Sequence, residues 1–341
     1  MRTENPLADL LEDRTRLVAD GGMGTTLFEL GLQPGATPEV WNVERPDLVA
    51  SVHRGFVDAG ADIVLTNTFG GTRARLDLDG QGHRVAELNR AGVAVAREVA
   101  DGAGRKVVVA GSVGPTGSLF EPLGELTHDA AVSLFSEQVS ALASAGADVL
   151  WIETLSATEE LAAAVEAASA TGLPVVTTMS FDTHGKTMMG IPPAALADWW
   201  GEAPHPVTAV GANCGIGPAD VVRAVAEIHE TDPGLVVVAK ANCGVPQVIN
   251  GVLWYPASSE GMVDYAKLAL DAGARIVGAC CGSIPAHIAQ IREVVDNYEP
   301  AAAVDLDQVD ARLGGGQPAP TSGTTDRRER RRGSQRADTT A

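Results

Sequence analysis

The sequence predicts an α/β protein, a single-domain (β/α)8 TIM barrel over residues 1–300 with a disordered polar tail at 301–341. Three observations lead there. Eight short apolar runs alternate with stretches of helical spacing, which implies parallel pairing through right-handed crossovers. One phrase recurs, as D-A-G-A-D-I-V-L-T-N at 58–67, S-A-G-A-D-V-L-W-I-E at 144–153 and D-A-G-A-R-I-V-G-A-C at 271–280. Its offsets of 86 and 127 residues match two and four βα units of ordinary length. Finally, no G-x-G-x-x-G follows a strand and opens a helix, and D-G-G-M-G-T-T is no Walker loop. An open Rossmann-like sheet therefore lacks its fingerprint.

The elements follow in order. Strands are expected at L-V-A-D (17–20), I-V-L-T-N (63–67), V-V-V-A-G-S (107–112) and V-L-W-I-E (149–153). Four more are expected at V-V-T-T-M-S (175–180), A-V-G-A-N-C (209–214), V-V-V-A-K (236–240) and I-V-G-A-C-C (276–281). Each is a short apolar run bounded by turn residues, the pattern of a strand covered on both faces. Helical spacing marks 46–59, 84–100, 129–145, 158–171, 218–229 and 261–272. In the repeated phrase, Gly supplies a left-handed helix stop and the following Ala packs closely as the chain turns into the sheet. Trp199 and Trp200 fall on a further helix.

From Ala301 onward the chain loses aromatics and aliphatic periodicity and runs into G-G-G-Q-P-A-P-T-S-G-T-T. Such a segment cannot bury enough apolar surface to offset its ordering entropy. The tail holds six acids and seven arginines, a net of +1, so residues 1–300 carry about −20 of the whole-chain −19. A surface that acidic argues against nucleic acid as a partner, and the Arg327–Arg332 run reads as part of a solvated tail. No apolar stretch approaches 18 residues, so no membrane span is expected. The acidic N-terminus lacks the apolar core of a signal peptide. Four cysteines, two of them adjacent, form no disulfide framework, and a reducing cytoplasm is the expected setting.

In this fold the site lies at the carboxyl ends of the strands. Those ends read Asp20, Asn67, Ser112, Glu153, Ser180, Cys214, Lys240 with Asn242, then Cys280 and Cys281. Three thiols thus stand on strands six and eight. Three protein ligands with a fourth position open is the arrangement of a catalytic zinc. Adjacent cysteines on a regular strand point to opposite faces, so both reach one metal only if the strand breaks, which Gly282 permits. A vicinal disulfide and burial as core thiols are the competing readings. Cys243, in the loop after strand seven, is read as a non-ligand. Three thiolates overcompensate Zn²⁺, so the centre is a weak acid for making hydroxide from water. It suits a substrate thiol, which it ionises near neutrality while leaving the sulfur nucleophilic.

At this point the chain resembles a family. D-G-G-M-G-T-T-L at 20–27, T-N-T-F at 66–69, G-A-N-C-G at 211–215 and G-A-C-C-G at 278–282 are similar to the homocysteine S-methyltransferases. That family comprises the homocysteine-binding module of cobalamin-dependent methionine synthase, the betaine enzymes and the S-methylmethionine enzymes. The resemblance covers nearly all of residues 10–297. It implies zinc on Cys214, Cys280 and Cys281, with homocysteine sulfur in the fourth place. It also implies that Asp20 and Glu153 hold the substrate ammonium and that the Gly21 and Gly22 amides seat its carboxylate, a division that suits a zwitterion. Asn213 and Asn242 brace the site or satisfy turn amides.

The chain departs from the family in four respects. The vertebrate betaine enzymes carry an aromatic residue where Gly70 stands here, and a long oligomerisation arm where this chain has a polar tail. The usual P-N-A-G after strand seven reads A-N-C-G, with Ala241 and Cys243. The corrinoid and folate modules of methionine synthase are absent, so the methyl donor is a small free molecule or arrives on another protein. A cationic donor needs aromatic faces or carboxylates, and Trp41, Trp254 and Tyr255 stand in loops that could reach the mouth. The S-F-D-T-H-G-K-T-M-M-G segment (180–190) is similar to bacterial relatives assigned to betaine, which places betaine before S-methylmethionine. The expected partners are homocysteine and that donor, with no nucleic acid and no membrane, and a homo-oligomer is left open. Two other readings stay in view: a barrel lyase with a Schiff base on Lys240, and a non-catalytic zinc-binding barrel.

Overall fold

The structure is a computed structural model that describes residues 5–314, apart from 245, 246, 250, 251 and 257. Eight parallel strands form the barrel: β1 Leu17–Val18, β2 Ile63–Leu65, β3 Val108–Val113, β4 Val149–Leu155, β5 Val175–Met179, β6 Ala209–Cys214, β7 Val237–Ala241 and β8 Ala274–Ala279. Their order in the sheet is β1-β8-β7-β6-β5-β4-β3-β2. The β1–β2 seam carries no full ladder. It is closed by an isolated bridge between Ala19 and Ile63. Asp62 N donates to Val18 O at 2.7 Å and Asp20 N to Ile63 O at 3.0 Å across it.

Helices occupy the expected segments at Pro46–Asp58, Val85–Asp101, His128–Ser144, Thr158–Ser169, Pro218–Thr231 and Ser259–Asp271. The glycines of the repeated phrase, Gly60, Gly146 and Gly273, have φ of 100°, 96° and 95°, the left-handed stop that the repeat requires. Trp199 and Trp200 lie on the helix Pro193–Glu202, where Trp200 is buried.

Alternation along the strands divides the barrel interior into an apolar floor and a polar upper storey. Leu17, Ile63, Val108, Ala110, Val149, Trp151, Val176, Ala209, Val238 and Ile276 share one buried cluster with Leu7, Leu10 and Leu11. The last three belong to the helix Pro6–Asp13, which closes the lower mouth and is capped by Asn5 accepting from Ala8 N at 3.0 Å. Two residues further along the same faces come Ser112, Glu153, Thr178 and Lys240, all buried. Polar side chains in that position must answer one another, and they form the base of the site.

Two elements go beyond the expected pattern. Gln247–Ile249 and Val252–Trp254 pair as an antiparallel hairpin between β7 and the following helix. Residues assigned by composition to the tail also include a helix, Leu306–Leu313. It buries Val309, and its Asp310 pairs with Arg223 at 2.6 Å, while Arg312 pairs with Asp264. Val309 and the partly buried Leu313 pack against the core beside two ion pairs, a set too small to stand out in the sequence. The Arg327–Arg332 run lies outside the described residues.

Candidate metal centre and substrate pocket

The chain turns sharply where β6 and β8 end. Cys214 has φ +56° and Gly215 +65°, and Gly282 has φ +77°. Strand β8 stops at Ala279, so Cys280 and Cys281 already belong to the turn and are free of strand alternation. Their sulfurs and that of Cys214 lie within 4.8 Å of one another, the one group of potential ligands of this kind among the described residues. Cys214 Sγ and Cys280 Sγ are 2.8 Å apart. This separation is longer than a disulfide, about 2.05 Å. It is shorter than the roughly 3.8 Å between two sulfurs on a tetrahedral zinc with bonds of about 2.3 Å. Three convergent, half-buried thiols with no other sulfur in the group fit a three-thiolate metal centre. Cys281, accepting from Cys214, Cys280 and Tyr255, is held well below the usual thiol range.

Cys243 faces away. It is fully buried, its sulfur lies 3.4 Å from His287 Nδ1, and burial pushes its thiol up to about 12. Asn242, beside it, joins three loops: its Oδ1 accepts from Cys281 N at 3.0 Å and its Nδ2 donates to Gly215 O at 2.9 Å. Both readings of Asn242 are therefore met by one side chain, which satisfies turn amides and thereby fixes two cysteine turns.

Glu153 lies at an irregularity in β4, where the pairing with β5 shifts between Ile152 and Leu155 and Thr154 takes φ +62°. Such a bulge re-aims side chains at a strand end. Glu153 Oε1 accepts from Ser112 Oγ at 2.5 Å, and Oε2 lies 3.5 Å from Asn213 Nδ2. Burial is the largest influence on this carboxyl and pushes its pKa up to about 7; Lys240 opposes the rise and Cys280 adds to it. Asn213, completely buried, ties this acid to the thiols. Its Oδ1 accepts from Thr154 N at 3.0 Å, and its Nδ2 donates to Thr154 Oγ1 at 2.6 Å and reaches Cys214 Sγ at 3.5 Å. Thr154 escaped the sequence reading because nothing in the sequence marks a left-handed threonine.

Asp20 is already engaged. Its Oδ1 accepts from Lys240 Nζ at 2.6 Å and its Oδ2 from Leu65 N at 2.7 Å. Lys240 is 2% exposed. Burial favours its neutral amine, but Asp20 and Glu153 outweigh burial and hold it protonated. A Schiff-base lysine needs the neutral form, so this arrangement argues against that chemistry.

Gly21 and Gly22 are glycines for reasons of space. A Cβ on Gly21 would meet Ser283 Oγ at 2.4 Å and Phe56 at 2.7 Å, and one on Gly22 would meet Cys280 O at 2.6 Å. The Gly22 amide donates to Ser283 Oγ at 2.8 Å, and Ser283 Oγ donates in turn to Cys280 O at 2.8 Å. Of the two amides expected to seat a carboxylate, only that of Gly21 meets no acceptor among the described residues.

Of the aromatic residues, Tyr255 reaches the thiols. A Cβ on Gly282 would lie 2.2 Å from the Tyr255 ring, and the Tyr255 hydroxyl bonds the Cys281 sulfur. Trp41 is covered by the Arg45 guanidinium, 5.5 Å from the ring centre, and so meets an internal cation. The Trp254 side chain lies outside the described residues. At Gly70 the amide donates to Oε1 of the buried Glu39 at 2.6 Å. No helix among the described residues is long and apolar enough to cross a membrane.

Known proteins resemble this chain over most of its length. The family model described as homocysteine S-methyltransferase matches residues 17–295. The methionine synthase of Mycobacterium tuberculosis is 31% identical over 314 residues, 87% of this chain and 26% of that protein. The methionine synthase of Mycobacterium leprae is also 31% identical, over 84% of this chain and 25% of its own length. The chain thus spans about a quarter of these relatives. Among solved structures, the metallated form of the homocysteine methyltransferase MmuM from Escherichia coli matches with a TM-score of 0.72 at 28% identity, over 85% of this chain and 99% of that one. Its apo form matches with a TM-score of 0.65 at 26% identity and the same coverage.

Proposed function

The chain belongs to the homocysteine S-methyltransferase family, and from that premise we propose that it methylates homocysteine to methionine, with a zinc ion held by Cys214, Cys280 and Cys281. The observation that carries this reading is the convergence of those three sulfurs beside Glu153, joined to it through Asn213. The metal, when bound, supplies the charge that ionises the incoming thiol near neutrality, and the thiolate shell keeps that sulfur electron-rich.

The chain's own residues do the rest. Glu153 Oε2, with one long contact, is the oxygen left to meet the substrate ammonium. Asp20 is held by Lys240 Nζ and Leu65 N, and the Gly21 amide is the donor that remains for the carboxylate. The Gly22–Ser283–Cys280 chain of hydrogen bonds fixes the turn that carries two thiols against that amide. Tyr255 covers the turn and donates to Cys281, which restrains one sulfur while the substrate's remains the nucleophile. In-line transfer then needs the donor methyl positioned against the homocysteine thiolate.

Betaine is the favoured donor and S-methylmethionine the next, on the strength of the 180–190 segment. A second reading has the methyl delivered by a separate corrinoid protein. It is favoured by the match to methionine synthases of which this barrel is only a quarter. The intact acid and thiol sets support catalysis over a non-catalytic zinc barrel. A cytoplasmic enzyme without nucleic-acid or membrane partners fits these substrates, and a homo-oligomer is compatible with them. Purified protein loaded with zinc and homocysteine, offered betaine, S-methylmethionine and a methylcorrinoid protein in turn, tests the reading by methionine formed. Methionine from betaine supports the first form and from the corrinoid protein alone the second; none from any donor sinks both.

A further inference from the structure

Lys240 is a buried charge to which no step has yet given work. Its Nζ lies 2.6 Å from Asp20 Oδ1 and 3.4 Å from Asp20 O, with the Trp151 ring 5.9 Å away. It stands on β7, Asp20 follows β1 and Glu153 is on β4, so the three strands aim one cation and two acids into one closed space. The titratable groups facing the ammonium are Asp20, Glu153 and the Cys280 thiol. Two carboxylates sharing a site without a cation do not both stay ionised; one takes up a proton. With Lys240 bonded to Asp20, the trio carries a single negative charge once Glu153 is ionised.

We propose that Lys240 is a positioning residue: it locks Asp20 and balances it, so that Glu153 alone presents charge to the substrate's single ammonium. This rests on the homocysteine reading above. Both Asp20 oxygens already accept a bond, from Lys240 Nζ and Leu65 N, and the residue is 1% exposed. Glu153 keeps an oxygen with only a 3.5 Å contact. Lys240 thus acts through Asp20 and through the charge state of Glu153, without touching the reacting atoms.

Removing the cation alone leaves two buried acids in competition for a proton. Lys240→Met is expected to weaken homocysteine binding at pH 7 by at least about tenfold, and the loss is expected to shrink at pH 9 as Glu153 regains its charge. Lys240→Met/Asp20→Asn removes the pair together and leaves Glu153 as the one charge. It is expected to restore most of the affinity at pH 7 and to fold even where the single variant does not. Zinc content stays at one per chain in both. The measurement is titration of zinc-loaded protein with homocysteine at pH 7 and 9, with metal analysis of each sample. A double variant no better than the single, a single variant equal to wild type at both pH values, or zinc lost from the double variant overturns the assignment. Wild-type protein that binds zinc but no homocysteine would overturn the homocysteine reading itself, and this proposal with it.

Discussion

Glu153→Gln separates what the acid does for binding from what it does to stability. The carboxyl is 7% exposed, and its pKa rises from an ordinary 4.5 to about 7 on folding, chiefly through burial. A group with a raised folded pKa penalises the folded state once pH exceeds its unfolded value, and the penalty is complete above its folded value. Keeping Glu153 ionised therefore costs about 3 kcal/mol at pH 8 and under about 1 kcal/mol at pH 5. Glutamine keeps an acceptor for Ser112 Oγ and carries no charge, so the variant should be more stable than wild type by about 2–3 kcal/mol at pH 8. That advantage should fade as pH falls toward 5. Homocysteine affinity should move the other way. Loss of the carboxylate from a buried ammonium contact removes on the order of 2–5 kcal/mol, thirtyfold or more in Kd. Urea unfolding at pH 5 and 8, with homocysteine titration at pH 8, reads both. A variant that binds homocysteine like wild type, or is destabilised equally at both pH values, would refute the role given to this acid.

Cys280→Ala should lose zinc and methionine formation together while keeping the barrel, because the residue lies in a turn beyond β8; metal analysis with circular dichroism checks it. Gly22→Ala places a methyl 2.6 Å from Cys280 O, a backbone atom that cannot step aside. A loss of about 1–3 kcal/mol and weaker zinc retention are expected, read by thermal unfolding with and without chelator. Tyr255→Phe keeps the ring on Gly282 but removes the donor to Cys281. In metal-free protein the pH at which Cys281 becomes alkylated should rise, since that hydrogen bond helps hold its thiol down.

What the sequence could disclose was whatever a strand end or a turn must carry locally. The repeated A-G-A phrase located three helix stops because only glycine sits easily at φ near 100°. The cysteines were legible as a group because strand ends of a barrel gather on one face, so position in the chain translated directly into position in space. Asp20 and Lys240 show where that translation stops. Each was correctly placed at a strand end, yet their 2.6 Å contact joins residues 220 apart in the chain, and no local pattern announces a partner at that distance. The same holds for Asn213, whose residue type suggests a turn but whose bonds to Thr154, Glu153 and Cys214 depend on a bulge in another strand. The hairpin and the helix Leu306–Leu313 were hidden differently, since both are short and held by few contacts rather than by a periodic face. Residue types at strand ends are thus legible in the sequence, whereas the bonding state of the two acids depends on contacts between distant strands. The family resemblance implies a role for Asp20 and Glu153 alike; the fold separates them, because Lys240 and Leu65 N bond both oxygens of Asp20 while one oxygen of Glu153 keeps only a 3.5 Å contact.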